Sequence, residues 1–302
     1  MAGRTAEGLR PRGAAGSAEG GGPPVPALCL APAILVMAVF AIALGALLQY
    51  SLFEFIPGSL RTGGITTRNF RQLAAPQYLR TIWETILLSL ATTALTLVAS
   101  YPVAYALARG RSAGLRSLLL VLTLAPFFTG AIVRTYAWIL VLGNSGFVNT
   151  LLVRAGLRET PYQMLFTPQG VLVGLVHFSM PVMVLILAAG ISHIDPTVER
   201  AAASLGANPL RTFLRVTLPL SLPGVLSACV VVFAWTLSAF PTPELLGGGR
   251  VKMIANVVKD LALDSFNWPG GAAFALLALV TTFALVAGFA RMIQRLQPRG
   301  HP

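Results

Sequence analysis

The stretch Ile194–Gly224, IDPTVERAAASLGANPLRTFLRVTLPLSLPG, lies between two long apolar runs and decides how the rest of the chain is read. It is too polar to lie in lipid and too patterned for a passive linker. Asp195-Pro196 is a helix cap followed by proline at the first helical position, and the alanine-rich run Glu199–Leu205 is a strong helix former. Gly206 supplies the left-handed residue that ends such a helix. Asn208-Pro209 repeats the cap-and-proline signal and predicts a second short helix through about Val216, stopped by Pro219 and Pro223. The expectation is two short helices joined by a glycine elbow, with small alanines able to sit close in a partner's groove.

The flanking runs fix the class. Of the 302 residues, 55% are hydrophobic and 11% are charged, against about 25% charged in soluble domains. The mean hydropathy is +0.75. Six apolar runs are each long enough to cross about 30 Å of hydrocarbon: 27–50, 82–108, 115–142, 169–192, 222–245 and 270–290. The first exceeds a signal-peptide core of about 7–15 residues and is expected to be retained. Residues 1–26, rich in Gly, Ala, Pro and Arg, read as a disordered cytoplasmic tail. Residues 51–80 read as a polar outer loop, 81–292 as the core, and 293–302 as a second cytoplasmic tail.

Six spans put both termini on one side. The tail residues Arg4, Arg10 and Arg12, the loop residues Arg109, Arg111 and Arg116, the central residues Arg200, Arg211 and Arg215, and the final Arg291, Arg295 and Arg299 then share a face. The opposite loops carry Arg61, Arg68, Arg71, Arg80, Arg154, Arg158, Arg250, Lys252 and Lys259. The excess places the first face, with the central stretch, in the cytoplasm: N-terminus in, C-terminus in. This also gives the net charge of +12 a cause other than nucleic-acid binding. Cys29 and Cys229 fall in apolar runs and read as small hydrophobes.

The central stretch resembles the cytoplasmic coupling loop of binding-protein-dependent ABC importer permeases: Glu-Ala-Ala, three residues, Gly, then a hydrophobic-x-Leu-Pro ending. Ala201-Ala202, Gly206 and Val216-Thr217-Leu218-Pro219 match it, while Arg200 stands at the Glu position and Glu199 one place earlier. The similarity narrows to the spermidine/putrescine branch, and to its B-type subunits, through Pro126-Phe127-Phe128-Thr129 with Arg134-Thr135-Tyr136-Ala137-Trp138. Leu142-Gly143-Asn144-Ser145-Gly146 with Asn149, Phe166-Thr167-Pro168, Pro243-Glu244-Leu245-Leu246-Gly247-Gly248 and Asn267-Trp268-Pro269 extend it. The resemblance implies an all-α, six-span type I importer permease in a bacterial inner membrane. Its partners would be two ATPase subunits, a second permease, identical or distinct, and an extracytoplasmic solute-binding protein. It implies a small solute, a polyamine or another such as an organophosphonate or iron. The contact with the ATPase would fall on Glu199, Arg200, Ala201, Ala202, Ala203, Gly206, Ala207 and Asn208.

The chain itself offers little chemistry. No glycine precedes Lys252 or Lys259, so there is no phosphate-binding loop, and ATP must be hydrolysed on another subunit. His177, His193 and His301 form no metal-ligating pair, and no cofactor or metal is expected. Gly143-Asn144-Ser145-Gly146 matches the short motif around intramembrane serine nucleophiles, with His177 in the next span. That alternative class requires the two side chains on facing helices. Arg134 is a charge within a span; its structural role would be to pair with a carboxylate or with carbonyls near Pro126. Glu244 reads as an interfacial charge or as a carboxylate meeting a cationic solute. Tyr136, Trp138, Trp235 and Phe240 read as packing anchors or as faces for alkylammonium groups.

Overall fold

The structure, a computed structural model, describes residues 27–59 and 62–296. The tail 1–26, Arg61 and residues 297–302 lie outside the described residues. By internal contacts the chain divides into two units, Met1–Ala46 and Leu47–Pro302. The described part of the first is most of helix α1, Ala27–Ser51, uncharged along its whole length.

The second unit opens with a small antiparallel hairpin, β1 Phe53–Phe55 and β2 Thr62–Ile65, and a short helix α2, Arg68–Gln72. Buried Asn69 donates to the carbonyls of Ser51 and Phe53, each at 2.8 Å, and ties this cap together. The membrane helices follow: α3 Pro76–Arg109, α4 Ala113–Phe128, α5 Ala131–Leu142, α6 Phe147–Arg154 and α7 Pro168–Ser192. The central stretch contains α8 Pro196–Ser204 and α9 Pro209–Thr212, and leads into α10 Leu218–Leu237. Short helices α11 Pro241–Gly247 and α12 Ile254–Lys259 precede the last span, α13 Trp268–Leu296. Six segments among the described residues are long and apolar enough to cross a membrane.

The core is the triple packing of α3, α7 and α10, α3 lying most extensively on α7. One face of α3 is a file of small and hydroxylated residues, Ser89, Thr92, Thr96 and Ser100, all fully buried, which lets neighbouring helices approach closely. Nearer the central stretch Tyr101, Ala104 and Leu107 meet Met183, Leu187 and Ile191 of α7 and Val225, Ala228 and Val232 of α10. There α7 and α10 cross at bare backbone: a Cβ added to Gly190 would stand 3.1 Å from the Cα of Gly224.

Two expectations need correction. The third span is not one helix over 115–142. It breaks at Thr129 and Gly130, both extended, because Pro126 lacks an N–H and Gly130 tolerates the bend. At the break Thr129 N–H donates to Pro126 O at 3.3 Å, closing α4, and Arg134 N–H donates to Gly130 O at 3.1 Å, opening α5. Secondly, Pro219 and Pro223 do not stop the helix that starts at Pro209. It runs through a π-helical turn, Phe213–Thr217, into α10, with Pro219 in the first turn. The wide turn accommodates the proline ring, and Leu218 N–H reaches back to Phe213 O. The fifth span accordingly ends at Leu237, and 241–247 is a separate helix beginning at Pro241.

Candidate functional site

The central stretch folds as its residues dictate. The Asp195 carboxylate accepts from Thr197 N–H at 2.8 Å, and this backbone hydrogen bond holds the carboxyl below its ordinary range. At the other end of α8, Gly206 has φ +83°, and Ala207 N–H returns to Ala202 O at 3.1 Å, the double-turn closure that a left-handed glycine permits. Asn208 then caps α9 by accepting from Arg211 N–H at 2.8 Å.

The two faces of this elbow differ. Facing out are Val198, Arg200, Ala201, Ala203, Asn208, Leu210 and Leu214, with Leu205 at 90% exposure. Ala202 and Ala207 are half-buried. Glu199 turns the opposite way. Its Oε1 accepts from Arg109 Nε at 3.2 Å and from Thr217 Oγ at 3.0 Å, and Arg109 Nη2 donates to Ile194 O at 2.7 Å. The paired side chains are only 13% and 16% exposed. Arg109 was legible in the sequence only as one of a cluster of basic loop residues.

At the far end of the core, Glu244 is not a free carboxylate. Lys259 Nζ lies 3.0 Å from it, 3.2 Å from Asp260 and 2.8 Å from Asp264, and Asn256 donates to Glu244 Oε2 at 2.7 Å. Lys252 adds a 2.6 Å contact to Asp260. The two aspartates stand on a second π-helical turn, Asp260–Asp264. Hydrogen bonds that Lys259 donates to Asp264, Glu244 and Asp260 hold its ammonium well above its ordinary range. Burial alone raises Asp260, but bonds from Lys252 and Lys259 outweigh it and hold the carboxyl low.

Between these ends an aromatic group forms across α5, α7 and α10. Arg134 donates to Pro126 O at 2.7 Å and its guanidinium lies 4.7 Å from the Phe178 ring. Phe178 meets Trp235 edge-on at 5.7 Å, and Trp138 donates to His177 Nδ1 at 3.1 Å. Tyr136 is exposed, and Phe240 stands apart, where its carbonyl accepts from Asn256 at 3.4 Å. Ser145 and His177 are not brought together. Ser145 is exposed in the turn after α5 and lines a cavity with Asn144 and Gln163; His177 lines another with Pro126 and Met180. The glycine-rich motif serves the loop instead, since buried Asn149 donates to Gly143 O and Tyr162 O at 2.9 and 3.0 Å. The Phe166-Thr167-Pro168 match gave no sign of the conformation of Phe166, which has φ +62°, donates its N–H to Leu246 O at 2.8 Å and places its ring where any side chain on Gly248 would project.

A broken third span, three tightly packed helices and a capped, glycine-jointed loop between the fourth and fifth spans together define a multi-pass membrane permease. Over residues 100–299 the chain matches the family described as binding-protein-dependent transport system inner membrane component, and it belongs to that family. It is 35% identical over 212 residues to the spermidine/putrescine transport system permease protein PotB of Haemophilus influenzae, covering 70% of this chain and 74% of that protein. It is 33% identical over 228 residues to PotB of Escherichia coli K12, covering 76% and 81%. Its fold is also that of a chain in the crystal structure of a bacterial ABC transporter involved in the import of the acidic polysaccharide alginate. There the TM-score is 0.72 at 20% identity, over 90% of this chain and 96% of the other. The chain is thus an inner-membrane importer permease and not itself an enzyme.

Proposed function

We propose that this chain is one half of the translocation pathway of an ABC importer for small polyamines, driven by ATP hydrolysis on two separate ATPase subunits. The observation that carries the importer mechanism is the two-faced elbow: its polar links turn inward, and small and apolar side chains face out from the loop between the fourth and fifth spans. An exposed apolar surface of this kind fits a partner's groove. The proposed ATPase contact is Arg200, Ala201, Ala203, Gly206 and Asn208 with the neighbouring leucines, the half-buried Ala202 and Ala207 behind them, and Glu199 turned away. The loop lies in the cytoplasm, both termini with it, and a second permease and an extracytoplasmic binding protein complete the assembly. ATP closes the ATPase pair, moves the loop and biases the permeases between inward-open and outward-open states.

The polyamine reading is supported by the named solutes of the relatives at 33–35% identity. On this reading the solute's ammonium groups meet Glu244 by exchange with Lys259, and Trp138, Trp235, Tyr136 and Phe240 offer faces for cationic carbons. Arg134, held on Pro126 and Phe178, stays out of the cation's path. The native complex, isolated through a tag on this chain and placed in proteoliposomes with its binding protein, should hydrolyse ATP and import spermidine and putrescine competitively. Absence of a co-isolating ATPase would overturn the importer assembly; ATPase activity without polyamine uptake would overturn the solute alone.

A further inference from the structure

The loop between the fourth and fifth spans is joined by chain to α7 and α10 only. Its polar links go elsewhere. Arg109 is the last residue of α3, where the helix dipole favours a cation, and Glu199 is in the first turn of α8, where it favours an anion. The guanidinium spans both: Nη2 holds Ile194 O, directly before the Asp195 cap, and Nε holds Glu199. Thr217, fully buried on the π-helical turn, donates to the same carboxylate oxygen. Three elements distant in sequence therefore converge on one carboxylate. The junction is reinforced a turn or two deeper. Phe213 of the π turn packs edge-on against both Tyr101 and Tyr105 of α3, at 5.5 and 5.9 Å, and Tyr101 Oη shares a 2.8 Å hydrogen bond with Ser221 Oγ of α10.

We propose that the Arg109–Glu199–Thr217 junction is the positioning link through which movement of the elbow is carried to α3, making α3 the driven helix of the permease core. This rests on the coupling reading of the elbow. A nearly buried ion pair with both partners hydrogen-bonded adds little net stability compared with apolar packing, but it fixes one geometry, because either charge left alone is costly. α8 therefore does not slide over the end of α3; the two move together or the pair opens. Through its packing on α7 and α10, α3 reaches the whole core. Its far end is linked in turn, since Thr85 Oγ accepts from Ile254 N–H of α12 at 3.1 Å, beside the Lys259 cluster.

The experiment is Glu199→Gln in the complete transport complex. It keeps the shape and an acceptor for Thr217 but removes the charge that holds Arg109. Solute imported and ATP hydrolysed are both counted per complex, so a variant that inserts poorly still reports. The expected result is that the ATPase still co-isolates and hydrolyses ATP, while solute imported per ATP falls at least about tenfold. Glu199→Asp should recover most of that ratio, and Arg109→Gln combined with Glu199→Gln should be no worse than either alone, since both remove one link. A wild-type ratio in Glu199→Gln overturns the proposal, and so does an additive double variant. Loss of the ATPase from Glu199→Gln also overturns it, making Glu199 part of the docking face. Failure of the underlying coupling reading looks different: Gly206→Val would then keep both ATPase and uptake.

Discussion

The two ends of this permease use the same backbone device for different ends. On each side a helix passes through a π-helical turn, Phe213–Thr217 at the elbow and Asp260–Asp264 at the opposite face, and on each side that turn presents groups to a charged centre. At the elbow the centre is one carboxylate with one guanidinium, largely buried, which fixes distance and direction. At the opposite face it is one ammonium among three carboxylates, with Asp264 56% exposed, so that any one partner is replaceable. A link that transmits force needs the first arrangement. A surface that meets a charged solute or a docking protein tolerates the second, because exposed pairs contribute on the order of 0–1 kcal/mol each and exchange readily.

Substitutions that separate the two ends should rank accordingly. The largest effect is expected for Gly206→Val. A Cβ there meets no neighbouring atom within the chain, so the cost comes from the +83° backbone alone, on the order of 1–3 kcal/mol for a β-branched residue. Membrane abundance should be normal, with ATPase co-isolation and uptake lost; Gly206→Ala should fall between. Gly224→Leu comes next. It forces α7 from α10 at their backbone crossing, an overpacking cost of about 1–3 kcal/mol that should lower membrane abundance several-fold on a quantitative blot. Glu244→Gln should reduce polyamine uptake by less than about fivefold at unchanged abundance, because Lys259 keeps Asp260 and Asp264. Glu244→Asp should be milder, and no change in uptake would remove Glu244 from the pathway.

The pH dependence sharpens the same contrast. The folded-state shift of Lys259 is upward, so its contribution is complete below its ordinary value of 10.5 and is lost only as pH rises through the higher folded value. The shift of Asp260 is downward, so its contribution is complete above 3.8 and is lost as pH falls through the lower folded value. Thermal stability of the complex should therefore show no transition from this cluster between about pH 5 and 9. Ser145→Ala, the smallest change, should leave uptake and abundance unaltered, and a loss of uptake would return the serine to consideration.

Caps and periodicity were enough to read most of this fold. Asp195, Gly206 and Asn208 do what their side chains and backbone allow, and four of the six apolar runs became helices near their expected bounds. What was misread came from prolines. Pro126 contributes to a break placed three residues later at Thr129–Gly130, whereas Pro219 and Pro223 break nothing because a π turn makes room. Sequence shows the missing N–H but not whether neighbouring carbonyls find other donors. The site was legible where it is local and illegible where it is distant. Glu199 and Arg109 are 90 residues apart, and no spacing rule joins them. Lys259 likewise hides the charge of Glu244 from 15 residues away.

The break at Thr129–Gly130 bears on how the chain is made. At 1.5 Å per residue the 16-residue α4 is about 24 Å long and the 12-residue α5 about 18 Å, so α4 alone falls short of about 30 Å of hydrocarbon and α5 reaches that length only with a neighbour, α4 before it or α6 after it. The second piece carries Arg134, a residue that insertion machinery accepts at a cost of about 2.5–3.5 kcal/mol. Its ring partner Phe178, and the histidine that receives Trp138, belong to α7, which leaves the ribosome some forty residues later. The contacts that hold Arg134 and Trp138 therefore form only once α7 has been made, so the third and fourth spans complete one another during synthesis.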